Sequence, residues 1–228
     1  MTFNSPLEVT LSPLLESDLE EVALGNWMSF PTFYTTLEHP IAPADRLRQT
    51  VHRLKKLLAS DNTFCRKATV GSADGPLAGI AMWHFGNKVF HLKRRPMDSE
   101  ALASETDEDR EAWSGVNENW EPLWAKWDEI RADIMGEIPH YYLAPLWVKP
   151  EYQQKGVAAK LLKEVLDKAD EEGAAVYLEA SRDGQPVYAR RGFTVEGKSE
   201  AYPEMVRWGT SKEKHPEAAA KLAAKAAQ

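Results

Sequence analysis

Two periods organise the apolar positions of this chain. Leu47, Val51, Leu54 and Leu58 recur at steps of four, three and four, which predicts a helix with Arg46, Arg48, Lys55 and Lys56 off its stripe. Leu19, Val22, Leu24 and Trp27 predict an earlier helix, opened by a capping box from Ser17 to Glu20. Wound at about 100° per residue, positions 119 to 135 bring Trp120, Leu123, Trp124, Trp127, Ile130 and Ile134 into an arc of about 120°, an amphipathic helix with a broad aromatic face. Short apolar runs predict strands at Glu8 to Ser12, Thr63 to Val70, Pro76 to Phe85, Tyr141 to Val148, Ala174 to Ser181, Phe193 to Glu196 and Met205 to Trp208. The turn Gly71 to Gly75 joins the second and third of these into a hairpin. Between the first two helices, Phe30 to Ala44 mixes aromatics, threonines and prolines and reads as loop. The Ala- and Lys-rich tail has one large apolar residue, Leu222, and reads as a solvated helix from Pro216 or as disordered chain.

Length and composition narrow the class. A chain of 228 residues fits one domain over residues 1–210 that carries an insertion at 98–137, followed by a tail at 211–228. A net charge of −7 argues against nucleic acid as the main partner, because phosphate neutralisation needs clustered Lys and Arg. The single cysteine, Cys65, permits no intrachain disulfide and reads as a small buried hydrophobe in a strand. The six histidines show no ligand spacing with one another, so no metal is expected. No apolar run is long enough for a membrane span, and the first residues lack a signal-peptide pattern, so a cytoplasmic protein is expected.

The insertion stands apart in charge. Between Asp98 and Glu137, thirteen carboxylates face only Arg110, Lys126 and Arg131, and the segment also holds half of the chain's 8 tryptophans.

The stretch from Tyr141 to Gly197 carries the chemistry. A strand ends at Lys149-Pro150, a short loop with Gln153, Gln154, Lys155, Gly156, Val157 and Ala158 follows, and the loop feeds an amphipathic helix and a second strand. A helix start of this kind offers free N–H groups and the positive end of a dipole to a phosphate. Gly156 lets a ligand approach the backbone, Ala158 keeps a second approach open, and Lys155 adds charge.

These residues resemble the GNAT superfamily of N-acetyltransferases. Gln153, Gly156 and Ala158 fill the three specified positions of its acetyl-CoA loop, [Q/R]-x-x-G-x-[G/A]. Leu146 to Tyr152 is similar to the family's strand that ends in V-x-P-x-[YFH], and Leu178 to Phe193 to the segment that ends in L-Y-x-x-x-G-F. In its LEAS…G…Y wording the chain looks most like small-molecule acyltransferases of fungal type.

The resemblance implies an α/β fold of α+β type: a mixed, mostly antiparallel central sheet of six to seven strands flanked by helices, with the acidic insertion helical. It implies that the strands Tyr141–Val148 and Val176–Ser181 splay apart and that the pantetheine arm of acetyl-CoA bonds to the backbone of Leu146, Trp147 and Val148. Tyr188 matches the tyrosine that donates to the departing sulfur. Ser181 stands where the family often has an asparagine, and can bond to the pantetheine or order a water. For the base that neutralises the amine, Glu179, His140 and a water relayed by either remain open.

The acceptor is expected to be a small-molecule amine, with Trp27, Phe30, Phe33, Tyr34 and Trp83 as an aromatic wall to which Trp147 can add. The acidic insertion either covers the site, with a carboxylate and an indole face for a cationic amine, or packs its aromatic stripe on the sheet. His84 and His91 are further candidates for this wall. A protein or peptide acetyltransferase and a non-catalytic acyl-CoA-binding module are the alternatives. The protein is expected to be a monomer or homodimer.

Overall fold

The structure, a computed structural model, describes residues 7–86 and 91–226. Its chain begins with β1 (Val9–Pro13), which leads through a short 3-10 turn into α1 (Leu19–Ser29), α2 (Pro31–Leu37) and α3 (Pro43–Leu58). The hairpin β2 (Thr63–Val70) and β3 (Leu77–Gly86) follows, then α4 (Ser99–Ser104), α5 (Asp107–Ser114) and α6 (Trp120–Met135). The second half runs β4 (His140–Val148), α7 (Val157–Glu172), β5 (Ala175–Glu179), α8 (Gln185–Ala189), β6 (Thr194–Val195) and β7 (Glu204–Arg207), and ends in α9 (Ser211–Lys214) and α10 (Pro216–Ala226).

Among the described residues the strands form one sheet in the order β1-β2-β3-β4-β5-β7-β6. Only the β4–β5 pairing is parallel, so the expected mixed, mostly antiparallel sheet flanked by helices is present. That parallel pairing is short. It runs from His140 against Ala175 to Leu143 against Leu178, after which β5 ends at Glu179 while β4 continues to Val148, paired only with β3. The side of β4 from Ala144 to Val148 that faces β5 therefore has no strand partner. A bulge marks the parting point: Ala144 and Pro145 together oppose Met82, and proline, with no N–H to give, suits such a position.

Helices cover both faces. The apolar stripe of α7 (Leu161, Leu162, Val165, Ala169) packs on Trp83, Leu143, Val176 and Leu178. On the opposite face α1 and α3 pack on Cys65, Ile80, Met82 and Trp147, the cysteine buried there as its sequence position implies. Trp147 fixes the seat of α1. Its indole lies where a Cβ on Gly25 would stand 2.3 Å from the ring, and its Nε1 donates to Asn26 Oδ1 at 2.8 Å.

Two local expectations fail. The segment Phe30 to Ala44 is not mostly loop, because Pro31 and Pro43 sit at the first position of α2 and α3, where a missing N–H costs nothing. Ser17 and Glu20 do not form the capping box; instead Asp18 Oδ2 accepts from the Leu15 N–H at 2.8 Å and α1 starts at Leu19. The tail forms the helix expected from Pro216, α10, mostly exposed but laid along the protein on one side. Ala218, Ala219 and Leu222 pack beside Met135 and Tyr142, and Lys221 and Lys225 pair with Glu137 and Asp133 at 2.8 and 2.6 Å.

Candidate active site

The loop before α7 adopts an anion-receiving shape. Gly156 has φ +84°, which strains any residue with a Cβ, and nothing lies within 4 Å of the place a Cβ would occupy. Gln154, at φ 58°, is also left-handed. Among the described residues, the backbone N–H groups of Gln154, Lys155, Gly156, Val157 and Ala158 have no backbone acceptor. Gln153 ties the loop to the sheet, its Nε2 donating to Val148 O at 3.0 Å, and Lys155 Nζ donates to Glu151 O at 2.8 Å. A run of unsatisfied donors at a helix start with open space before it fits a pyrophosphate.

A cavity of about 80 Å³ opens where β4 and β5 part. Leu146, Glu179, Ser181 and Tyr188 meet there from β4, β5, the turn into α8 and α8 itself. Glu179 Oε2 accepts from the Tyr142 hydroxyl at 2.8 Å, while Oε1 is buried with no partner among the described residues. Burial raises this carboxyl to about 7, opposed by Arg131 and by the Tyr142 hydrogen bond. Tyr188 is buried against Phe193, rings edge-on at 5.7 Å, and burial pushes its phenol up to about 12, so it carries its proton at neutral pH. The Ser181 Oγ accepts from the Gly184 N–H at 3.2 Å, so its oxygen is engaged in turning the chain into α8.

Aromatic rings close the other side. Phe30, Phe33, Trp124, Trp127 and Tyr202 line the same cavity, and the Phe33 ring lies 5.2–5.8 Å from the rings of Trp124, Trp127 and Tyr202. Behind them lies a chamber of about 480 Å³ between α3, β3 and the helices of the insertion. The two spaces share His91, Lys93, Ala144 and Pro145 as walls, so they stand back to back at the β4 bulge. Tyr34, Arg53, His84, Trp113 and Trp120 also line the chamber.

Several expected wall residues lie elsewhere. Trp83 is fully buried and packs under α7, because on β3 it takes the face opposite Met82 and His84, which line the chamber. Trp27 does not border either space; it packs edge-on to Tyr34 at 6.3 Å under the Arg46 guanidinium. Trp147 seats α1. His140 is buried at the other end of β4, its Nδ1 2.8 Å from Ile138 O, and burial lowers it to about 4, so it is not placed to serve as the base. His91, stacked on Trp124 at 4.2 Å, is held neutral by burial and by Lys93, Arg131 and Arg94.

The insertion both packs and lines. Several of its acids are engaged with arginines, in the pairs Glu105–Arg95, Glu121–Arg94, Asp128–Arg131 and Glu111–Arg48, and Asp109 with Lys56. None of its carboxylates borders the small cavity; its indoles do. The charge they meet there is the protein's own. Lys93 Nζ lies 5.0 Å from the Trp124 ring centroid, 5.5 Å from Phe30 and 5.9 Å from both Phe33 and Tyr34. Burial, with Arg53 nearby, lowers this ammonium to about 8. Lys93 and Tyr202 carry no periodic or motif signal in the sequence.

The family model of the acetyltransferase (GNAT) domain matches residues 117–208. This span contains α6, β4, the Gly156 loop, β5 and Tyr188. Over this span the chain is similar to a GNAT acetyltransferase domain. The domain is that of an acyltransferase. Among solved structures, the chain is similar to a histone acetyltransferase HPA2-related acetyltransferase from Corynebacterium glutamicum (20% identity, TM-score 0.55, covering 90% of this chain and 96% of that one). It is also similar to the PaiA N-acetyltransferase of Thermoplasma acidophilum, solved with coenzyme A (15% identity, TM-score 0.50, covering 89% and 99%). A third is a predicted acetyltransferase of Clostridium acetobutylicum, solved with acetyl-CoA (13% identity, TM-score 0.50, covering 84% and 94%). At these identities the likeness shows the fold alone. No curated protein matches the chain in sequence. No helix among the described residues is long and apolar enough to cross a membrane.

Proposed function

We propose that the protein is an acetyl-CoA-dependent N-acetyltransferase whose acceptor is the amine of a small molecule, attacked directly while both substrates are bound. The observation that carries this reading is the meeting of Glu179 and Tyr188 in one cavity at the parting of β4 and β5. Acetyl-CoA supplies the acyl group as a thioester. The loop N–H groups from Gln154 to Ala158 hold its pyrophosphate, and the unpaired side of Leu146 to Val148 offers backbone partners to the pantetheine. Two neighbours solved with coenzyme A or acetyl-CoA support this choice of donor.

Glu179 Oε1 takes a proton from the incoming ammonium, which frees its lone pair. A carboxyl raised to about 7 by burial suits that transfer near neutral pH. Tyr188, protonated at this pH, gives its proton to the departing sulfur. The aromatic walls of a cavity of only about 80 Å³ favour a small acceptor over a peptide.

Thiol release measured over a panel of amines and peptides tests the reading. Turnover on small amines is expected. Tight acetyl-CoA binding with no turnover on any amine or peptide would point to a binding module, and turnover on peptides alone to a protein acetyltransferase.

A further inference from the structure

The charged groups around the two cavities are paired with an opposite charge, with two exceptions, Lys93 and Glu179. Arg53 pairs with Glu38 at 2.8 Å, Arg94 with Glu121 and Asp128, and Lys56 with Asp109. Lys93 Nζ makes no hydrogen bond or ion pair among the described residues. The carboxylates nearest in influence are committed: Glu38 already holds Arg46 and Arg53, and Glu179 is bonded to Tyr142 and stands as the base. The faces of Phe30, Phe33, Tyr34 and Trp124 hold the ammonium in place. Rings supply no lone pair to its three N–H donors, which are left to the cavity space.

A simple amine arriving as a cation would meet this like charge in a low-dielectric space. An acceptor that brings its own anion would cancel it. The geometry points to an anion subsite at Lys93, and to acceptors that carry a carboxylate on the same molecule as the amine, small amino acids in the broad sense. Lys93 and Glu179 line the same small cavity, so the carboxylate would rest on Lys93 with the amine turned to Glu179 Oε1. This assignment rests on the acetyltransferase reading for the role of Glu179, while the anion subsite itself can be measured without turnover.

The probes are the standard α-amino acids, β-alanine and γ-aminobutyrate, each beside its primary amide and its decarboxylated amine. Binding to the coenzyme A-loaded protein is followed by thermal shift and calorimetry, and thiol release is followed with acetyl-CoA. At least one acid should bind ten times or more tightly than its amide and show the same preference in kcat/KM. Lys93→Met should abolish the preference, and Lys93→Arg should restore part of it. Lys93→Gln replaces Lys93→Met if the latter fails to fold by circular dichroism. Amides or bare amines that equal the acids overturn the assignment, as does absence of binding by every acid or a preference that survives in the folded neutral variant. Preferential binding of acids without any thiol release would uphold the subsite and defeat the acetyltransferase reading instead.

Discussion

The Tyr142 hydroxyl donates to Glu179 Oε2 at 2.8 Å, and Oε1 is buried with no hydrogen-bond partner among the described residues. The two residues share a sheet face: Tyr142 pairs with Tyr177 in the β4–β5 register, and Glu179 lies two residues further along β5. One oxygen is thus held and the other is free to take a proton. Since the Tyr142 hydrogen bond favours the charged carboxylate, Tyr142→Phe should raise the acidic limb of the rate profile above its expected position near pH 7, by about half a unit to one unit. Glu179→Gln should lower kcat by roughly 10² or more. Initial rates from pH 5 to 9 decide both, and an unmoved limb in Tyr142→Phe would break the link.

The same carboxyl makes stability depend on pH. Its folded value of about 7 stands above the unfolded value near 4.5, so the native state holds the proton more tightly. The resulting stabilisation is complete below about pH 4.5 and is lost as pH rises through about 7. Glu179→Gln cannot ionise. Its stability relative to the parent should therefore rise from pH 5 to 8, by about 1–3 kcal/mol in urea unfolding.

How far these elements could be read beforehand follows from where their residues lie. The donor half is contiguous: strand, Gly156 loop, helix and Tyr188 fall within Tyr141 to Gly197, so spacing alone assembles them. The acceptor half is gathered from Phe30, Phe33, Lys93, Trp124 and Tyr202, which meet only after folding. Trp83 misleads because β3 is buried on both faces from Leu77 to Trp83, and such a strand lacks the polar alternation that would tell one face from the other. The prolines that mark Phe30 to Ala44 as loop are helix starts, a reading that depends on the residues after them rather than on proline itself.

Tyr188 tests the leaving-group step. Its ring packs on Phe193 and its burial rests on carbon, so Tyr188→Phe keeps the packing and removes only the hydroxyl. Turnover should fall by roughly ten- to a hundredfold. Acetyl-CoA affinity by calorimetry should stay within about twofold, well below the tenfold change that 1.4 kcal/mol would bring. Equal losses in both would contradict a role as acid.

Gly156 tests the loop. Open space surrounds the missing Cβ, so the penalty of a side chain there is conformational rather than steric: φ +84° costs a β-branched residue about 1–2 kcal/mol or more. Gly156→Val should weaken acetyl-CoA binding at least about tenfold, because the N–H groups from Gln154 to Ala158 lose their common direction. The loss of folding stability should stay near that strain cost of about 1–2 kcal/mol, since the buried stripe of α7 begins after this point. Calorimetry and melting measured on the same samples separate the two effects.

Glu38 offers a test of the wall rather than of the chemistry. This carboxylate is 6% exposed and receives Arg53 at 2.8 Å and Arg46 at 2.9 Å. It also lies where α2 meets the insertion: Glu38 bridges to Val116, the His39 N–H donates to Gly115 O, and the Asn117 N–H donates to Leu37 O. Arg53 in turn lies 5.6 and 5.3 Å from the ring centroids of Trp113 and Trp120, and the Trp120 Nε1 donates to Lys93 O at 2.6 Å, fixing the loop that carries Lys93. Removing the carboxylate leaves Arg53 charged and largely buried beside Lys93, so Glu38→Ala should cost about 3–5 kcal/mol. Glu38→Gln keeps an acceptor for Arg53 but not the charge, and its cost should fall between. Urea unfolding of both variants measures this, and a Glu38→Ala loss under about 1 kcal/mol would mean that Arg46 and Arg53 find water instead.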